Sequence, residues 1–272
     1  LFVFRSMVFY GQLVVGAPGA GKSTYCNGLS QILDHLKRPT IFVNLDPAND
    51  YLPYKCDVDI RELITVQDVM EKLKLGPNGA LRYCMKTLAD NIEWLRSRLS
   101  NKNGYLIIDM PGQLELYNSD DSISRITSQL TRWDFRLCAV HLSDSMYCSD
   151  AGKFVAVILS ALSIMVNLEV PQVNVLSKAD LMPSDLPYDE EFFQELPDLN
   201  YIVDLFGESP IFAKYKDLCQ KLCELSEEYN LVNFTLLDAS SKEKMVNLLQ
   251  LADKANGFAY YNVEDVREIL TK

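Results

Sequence analysis

Nine residues, Gly16-Ala17-Pro18-Gly19-Ala20-Gly21-Lys22-Ser23-Thr24, follow the apolar run Gln12-Leu13-Val14-Val15 and match the spacing G-x-x-x-x-G-K-S/T at every fixed position. The glycines let the backbone curl until successive amide N–H groups face one anion, and a helix opening at Lys22 adds the positive end of its dipole. Lys22 then supplies a charge to the β- and γ-phosphates and Ser23 a hydroxyl for Mg²⁺. The pattern predicts a nucleoside triphosphate lying along the backbone from Ala17 to Thr24.

Two later segments carry chemistry that suits the same ligand. In Tyr105-Leu106-Ile107-Ile108-Asp109-Met110-Pro111-Gly112-Gln113-Leu114-Glu115 a buried-type strand ends in a carboxylate and a glycine-bearing loop. Asp109 is expected to organise magnesium, and Gly112 to offer its backbone N–H to the γ-phosphate, with Gln113 and Glu115 close behind. Alone, Asp-x-Pro-Gly also makes an ordinary β-turn; following the phosphate loop, it points to the nucleotide. Ser177-Lys178-Ala179-Asp180 resembles the guanine-reading N/T-K-x-D element. An aspartate at position 180 accepts two hydrogen bonds from guanine N1 and its exocyclic amine, while the Lys178 stem lies over the base. Ser177 stands where asparagine is commonest, a residue that tethers the base loop to the phosphate loop, so guanine preference is expected with reduced affinity. Asp238-Ala239-Ser240 offers a backbone N–H for guanine O6.

These residues need a scaffold, and the pattern supplies one. Strands are predicted near 9–15, 40–45, 104–109, 136–142, 171–176 and 232–237, separated by helices at 22–37, 66–75, 80–99, 121–132, 151–167, 211–229 and 242–255. Alternation of this kind predicts an α/β fold of the P-loop NTPase class, a mainly parallel, doubly wound sheet with helices on both faces. Residues 7–261 are expected to form one domain, with an insertion at about 65–100, a non-native or disordered leader at 1–6 and a helical tail at 262–272. Residues 183–200, rich in Pro and Asp, read as a surface excursion.

A formal net charge of −11 argues against direct nucleic-acid or anionic-membrane binding. The seven cysteines, Cys26, Cys56, Cys84, Cys138, Cys148, Cys219 and Cys223, are odd in number and lack C-x-x-C pairs, so they read as reduced thiols. Cys219 and Cys223 share a helix face, a spacing that suits packing. His35 and His141 form no motif and read as structural.

With those motifs in hand, the chain resembles the GPN-loop GTPases, a family named for the tripeptide found here as Gly76-Pro77-Asn78. The resemblance also runs through Asn44-Leu45-Asp46-Pro47-Ala48-Asn49, Asp57-Val58-Asp59-Ile60-Arg61 and Asp253-Lys254-Ala255-Asn256-Gly257. Among the eukaryotic branches it is most similar to the second, through Leu52-Pro53-Tyr54, Ala139-Val140-His141-Leu142 and Leu176-Ser177-Lys178. Without the family, Gly76-Pro77-Asn78 is a turn between helices and Asp46 initiates another.

The resemblance implies hydrolysis of GTP to GDP and phosphate. It assigns Asp46, Gln113 and Glu115 to the attacking water, Ser23 and Asp109 to Mg²⁺, and Lys22 to the phosphates. It implies a homodimer, or a heterodimer with another GPN-loop GTPase, whose interface includes Gly76, Pro77 and Asn78. Asn78 then reaches the partner's site and contacts the departing phosphate in place of an arginine finger, although Arg61 and Arg82 stay open as alternatives. It further implies cytoplasmic work, with shuttling to the nucleus, on RNA polymerase subunits or their assembly chaperones. Two other readings share the phosphate loop: a P-loop nucleotide kinase with lid arginines, and an assembly factor with negligible turnover.

Overall fold

In the computed structural model of the chain, residues 9–149, 151–182, 192–193, 215–218, 220–222, 224 and 232–260 are described. The strand leading into the phosphate loop, β1 (Phe9–Gly16), lies at the centre of a seven-stranded sheet. The others are β2 (Thr40–Asn44), β3 (Val58–Asp59), β4 (Tyr105–Asp109), β5 (Phe135–Asp144), β6 (Gln172–Ser177) and β7 (Phe234–Leu236). Their order is β3-β2-β4-β1-β5-β6-β7, and every pairing is parallel. Parallel strands need helices on both faces, which is why these segments are apolar at successive positions rather than alternately.

Alternation sorts the side chains between two layers. Leu13 and Val15 of β1, Leu106 and Ile108 of β4, and Leu137 and Ala139 of β5 face one cluster. It is closed by α3 (Pro77–Asp90), α4 (Ile92–Leu99), α6 (Ser122–Arg132) and α7 (Ala151–Leu168). Val14, Tyr105, Ile107, Cys138 and Val140 face the other, beneath α1 (Lys22–His35) and α8 (Lys242–Asn256). A fully buried leucine such as Leu29 or Leu248 contributes about 1.5–3 kcal/mol to holding these layers.

The insertion is helical, with two departures from expectation. First, α2 (Val66–Leu73) is capped by Thr65, whose hydroxyl accepts from Asp68 N at 3.1 Å, and the next helix then begins at Pro77 with Gly76 as its N-cap. The tripeptide is therefore the start of a helix rather than a bare turn between helices: proline's fixed φ suits the first helical position, where its missing N–H costs nothing. Second, the helix expected over 80–99 is two. Asn91 leaves the helical region, with φ −114 and ψ 35, and its side chain donates to Thr87 O at 2.8 Å, competing with the backbone ladder.

The two-residue edge strand β3 was not expected, being too short to show a period. A four-residue helix, α5 (Glu115–Asn118), follows Gly112. Of the helix expected over 211–229, residues 215–218, 220–222 and 224 are described and are helical. The leader at 1–6, the tail at 262–272, most of 183–200, and Cys219 and Cys223 lie outside the described residues. The five described cysteines are free thiols.

Candidate functional site

The strand order reverses at β1: the chain crosses to β2 on one side, returns by β4, and passes over to β5. Loops leaving the carboxyl ends of strands diverge at such a point and open a crevice. Every motif reaches it: the phosphate loop after β1, Asp46 after β2, Asp109 at the end of β4, and Ser177 at the end of β6.

At the phosphate end, Gly21 adopts φ +90 and is the N-cap of α1. That left-handed conformation strains other residues, and it turns the chain into a helix whose first turn has neither a side-chain cap nor an acidic residue. Its N–H groups are left for an anion. Lys22 folds back over the loop, its Nζ donating to Gly16 O at 3.0 Å and Ala17 O at 3.3 Å. Burial lowers its pKa, opposed by the nearby carboxylates of Asp109 and Asp46. Gly112 presses on the same loop: a Cβ there would stand 2.7 Å from Lys22 Nζ and 3.0 Å from Pro18 N.

The carboxylates divide the remaining work. Asp109 is 1% exposed, and its Oδ2 accepts from Ser23 Oγ at 2.9 Å and from the Tyr54 hydroxyl at 3.0 Å. Its Oδ1 is buried without a hydrogen-bond partner. Burial pushes Asp109 up to about 6, against the Ser23 and Tyr54 hydrogen bonds. A buried carboxylate oxygen without a partner beside a phosphate-loop hydroxyl fits a hydrated magnesium ion accompanying the nucleotide, which Ser23 and Asp109 would hold. Asp46 Oδ1 accepts from Ala48 N at 3.0 Å, and its own N–H donates to Asn44 Oδ1 at 3.1 Å, so Asp46 does shape a turn. The same carboxylate faces Lys22 and accepts from the backbone N–H of Gly112, while burial raises its pKa. Asp46 thus belongs both to the turn and to the site.

Gln113 Nε2 donates to Asn78 Oδ1 at 3.2 Å, bringing the first turn of α3 to the edge of the crevice of its own chain. Glu115 is exposed at the start of α5; its carbonyl accepts from Ser119 N at 3.0 Å, and its side chain makes no hydrogen bond among the described residues. Arg61 forks onto Asp59, with Nε and Nη2 at 3.0 and 2.6 Å from Oδ2, and Arg82 pairs with Asp120 at 3.5 Å. Both arginines already have carboxylate partners.

At the base end, Ser177 Oγ lies 2.7 Å from Ala20 O and 3.1 Å from Ser143 O. Its one proton serves the shorter contact, so serine ties the base loop to the phosphate loop directly. Lys178 has φ +56, its Nζ pairs with Asp144 Oδ2 at 2.6 Å, and its carbonyl accepts from Ser145 Oγ at 2.9 Å. Asp180 is exposed and makes no hydrogen bond among the described residues, which leaves its carboxylate open to a base. Asp238 accepts from Ser240 N at 2.8 Å, forming a tight turn after β7.

Sequence reasoning had not assigned Tyr54, Asn49 or Asp144 to the site. Asn49 Nδ2 donates to Ser23 Oγ at 3.0 Å. Asn49 and Tyr54 had stood inside family-like stretches, but their contacts span 26 and 55 residues, and no local spacing announces them.

The family described as "Conserved hypothetical ATP binding protein" matches residues 14–258. "GPN-loop GTPase 2" of Danio rerio is 46% identical over 259 residues, covering 94% of this chain and 83% of that protein. "GPN-loop GTPase QQT1" of Arabidopsis thaliana is 46% identical over 263 residues, covering 95% of this chain and 88% of that protein. The crystal structure of a GTPase in apo form from Pyrococcus abyssi superposes with a TM-score of 0.75 at 26% identity, covering 91% of this chain and 97% of that one. The family description speaks of ATP, whereas the relatives are named GTPases. The GTPase reading prevails, because it rests on nearly half-identical proteins and on the Ser177 to Asp180 element, and it sets the kinase reading aside. By its fold, its site and these relatives, the chain belongs to the GPN-loop GTPase family.

Proposed function

We propose that the chain is a dimeric GTP switch, in which Asn78 of one subunit completes the site of its partner and hydrolysis resets the dimer. The observation behind this reading is the Gln113–Asn78 contact at 3.2 Å within one chain, the reach into a partner's site being what the resemblance implies. It sets the tripeptide beside the loop expected to sense the γ-phosphate, with Asn78 exposed towards any facing molecule. Leu73, Leu75 and Tyr83, exposed at 45%, 38% and 43%, flank the tripeptide in sequence, an apolar surface that favours association.

In the reaction, Lys22 and the α1 amides bind phosphate oxygens, and the Gly112 N–H, which reaches Asp46 in the structure, turns to the γ-phosphate when GTP binds. Asp46 and Gln113 orient the attacking water, and Asp180 with Lys178 holds the guanine. Bound magnesium would neutralise phosphate charge from its place at Ser23 and Asp109. Catalysis is positioning and charge stabilisation, with no covalent intermediate. The resemblance adds a role in assembly and nuclear import of RNA polymerase II and related polymerases, exercised from the cytoplasm through polymerase subunits or assembly chaperones.

The test is GTP turnover against protein concentration for wild type and Asn78→Ala, with ATP as competitor and sedimentation on the same samples. Specific activity should rise as dimers form. Asn78→Ala should lower turnover by about 10²-fold with nucleotide binding and dimerisation intact. Equal turnover by a monomer, or a silent Asn78→Ala, overturns the trans arrangement. Negligible turnover by a nucleotide-bound dimer favours the assembly-factor reading instead.

A further inference from the structure

Tyr54 has no part in the assignments above, yet its hydroxyl is buried against the carboxylate at the centre of the site. The side chain is 7% exposed, with its ring packed on Phe42 of β2 at 5.5 Å between centroids, so it is held from behind. From that position it donates to Asp109 Oδ2 at 3.0 Å, while Ser23 donates to the same oxygen at 2.9 Å. A carboxylate oxygen has two lone-pair sites, and two hydroxyls fill both. Oδ1 is left as the open oxygen.

We infer that Tyr54 is a positioning residue for the divalent cation that accompanies the nucleotide, fixing the rotation of Asp109 so that Oδ1 is the oxygen offered to the cation's water shell. The inference rests on the magnesium-nucleotide reading of the site. With Tyr54 absent, the Asp109 carboxylate is free to turn about its Cβ–Cγ bond, and either oxygen can take the Ser23 proton. Part of the cation's affinity is then lost to ordering the carboxylate on binding. Asn49, on the same loop as Tyr54, donates to Ser23 Oγ at 3.0 Å, so one loop steadies both residues of the metal position.

The experiment uses the full chain loaded with GDP and titrated with Mn²⁺, free ion being read by electron paramagnetic resonance. Tyr54→Phe removes one oxygen and keeps the ring on Phe42. It should weaken Mn²⁺ binding by about tenfold, in the range found for groups that orient metal ligands. GDP release should accelerate in Mg²⁺ but stay unchanged in EDTA, a split that a packing defect would not produce. Asp109→Asn sets the scale of full loss. Mn²⁺ affinity equal to wild type in Tyr54→Phe, or GDP release equally faster in EDTA, overturns the role of Tyr54 and leaves the nucleotide site standing. Failure of the wild type to hold GDP at all overturns the nucleotide reading and the Tyr54 inference with it.

Discussion

His141 is 1% exposed on β5, opposite Asn174 of β6, and burial pushes its pKa down from 6.5 to about 4 against a hydrogen bond to Asn174. Below pH 6.5 the unfolded chain takes up a proton on this residue that the folded chain refuses, so the contribution of His141 to stability falls as pH drops towards 4 and levels off beyond it. The slope approaches about 1.4 kcal/mol per pH unit within that window. Thermal melts between pH 7 and pH 4 should show a shallower decline for His141→Gln than for wild type, and equal declines would mean that His141 does not govern this limb. The histidine was read as structural from its lack of a motif, and the geometry gives that reading a cost in acid. Ser177 shows where residue-level reading stopped short. The element was recognisable from its lysine and aspartate, but only geometry shows a hydroxyl meeting Ala20 O at 2.7 Å, because that partner lies 157 residues away.

Among the elements, the segment after β4 is tightly constrained at its glycine. Gly112 has the Lys22 ammonium and the Pro18 backbone within 3.0 Å of where a Cβ would be, while its N–H reaches Asp46. Gly112→Ala therefore pushes this segment away from the phosphate loop or the lysine away from its place. Affinity for a non-hydrolysable GTP analogue should drop by at least about tenfold, the equivalent of about 1.4 kcal/mol, with a smaller change for GDP. Equal losses for both in a calorimetric titration would place the damage in the phosphate loop generally. The strands and long helices were legible because their apolar periods are long. Asn91 and β3 were not: a side chain donating to Thr87 O breaks a periodic helix in two, and a two-residue edge strand exists only because β2 offers Val43 and Asn44 as partners. The tripeptide was legible as punctuation, but its place in the first turn of α3 depends on Gly76 as an N-cap.

For the molecule as a whole, the central position of β1 has a mechanical consequence. Asp109 of the metal position and the groups expected to hold the attacking water hang from β2 and β4 on one side of it, Ser23 follows β1 itself, and those expected to hold the base follow β6 on the other, braced by Asp144 of β5. A nucleotide lying across the crevice is therefore a splint between two wings of a single sheet, joined without it by β1, its neighbours and the Ser177–Ala20 bond. Hydrogen exchange should slow together in β2 and β6 when GTP binds, although three strands lie between them, and GDP should protect β6 more than β2. Loss of the γ-phosphate would then slacken one wing while the other stays fastened, giving the sheet a hinge line along β1.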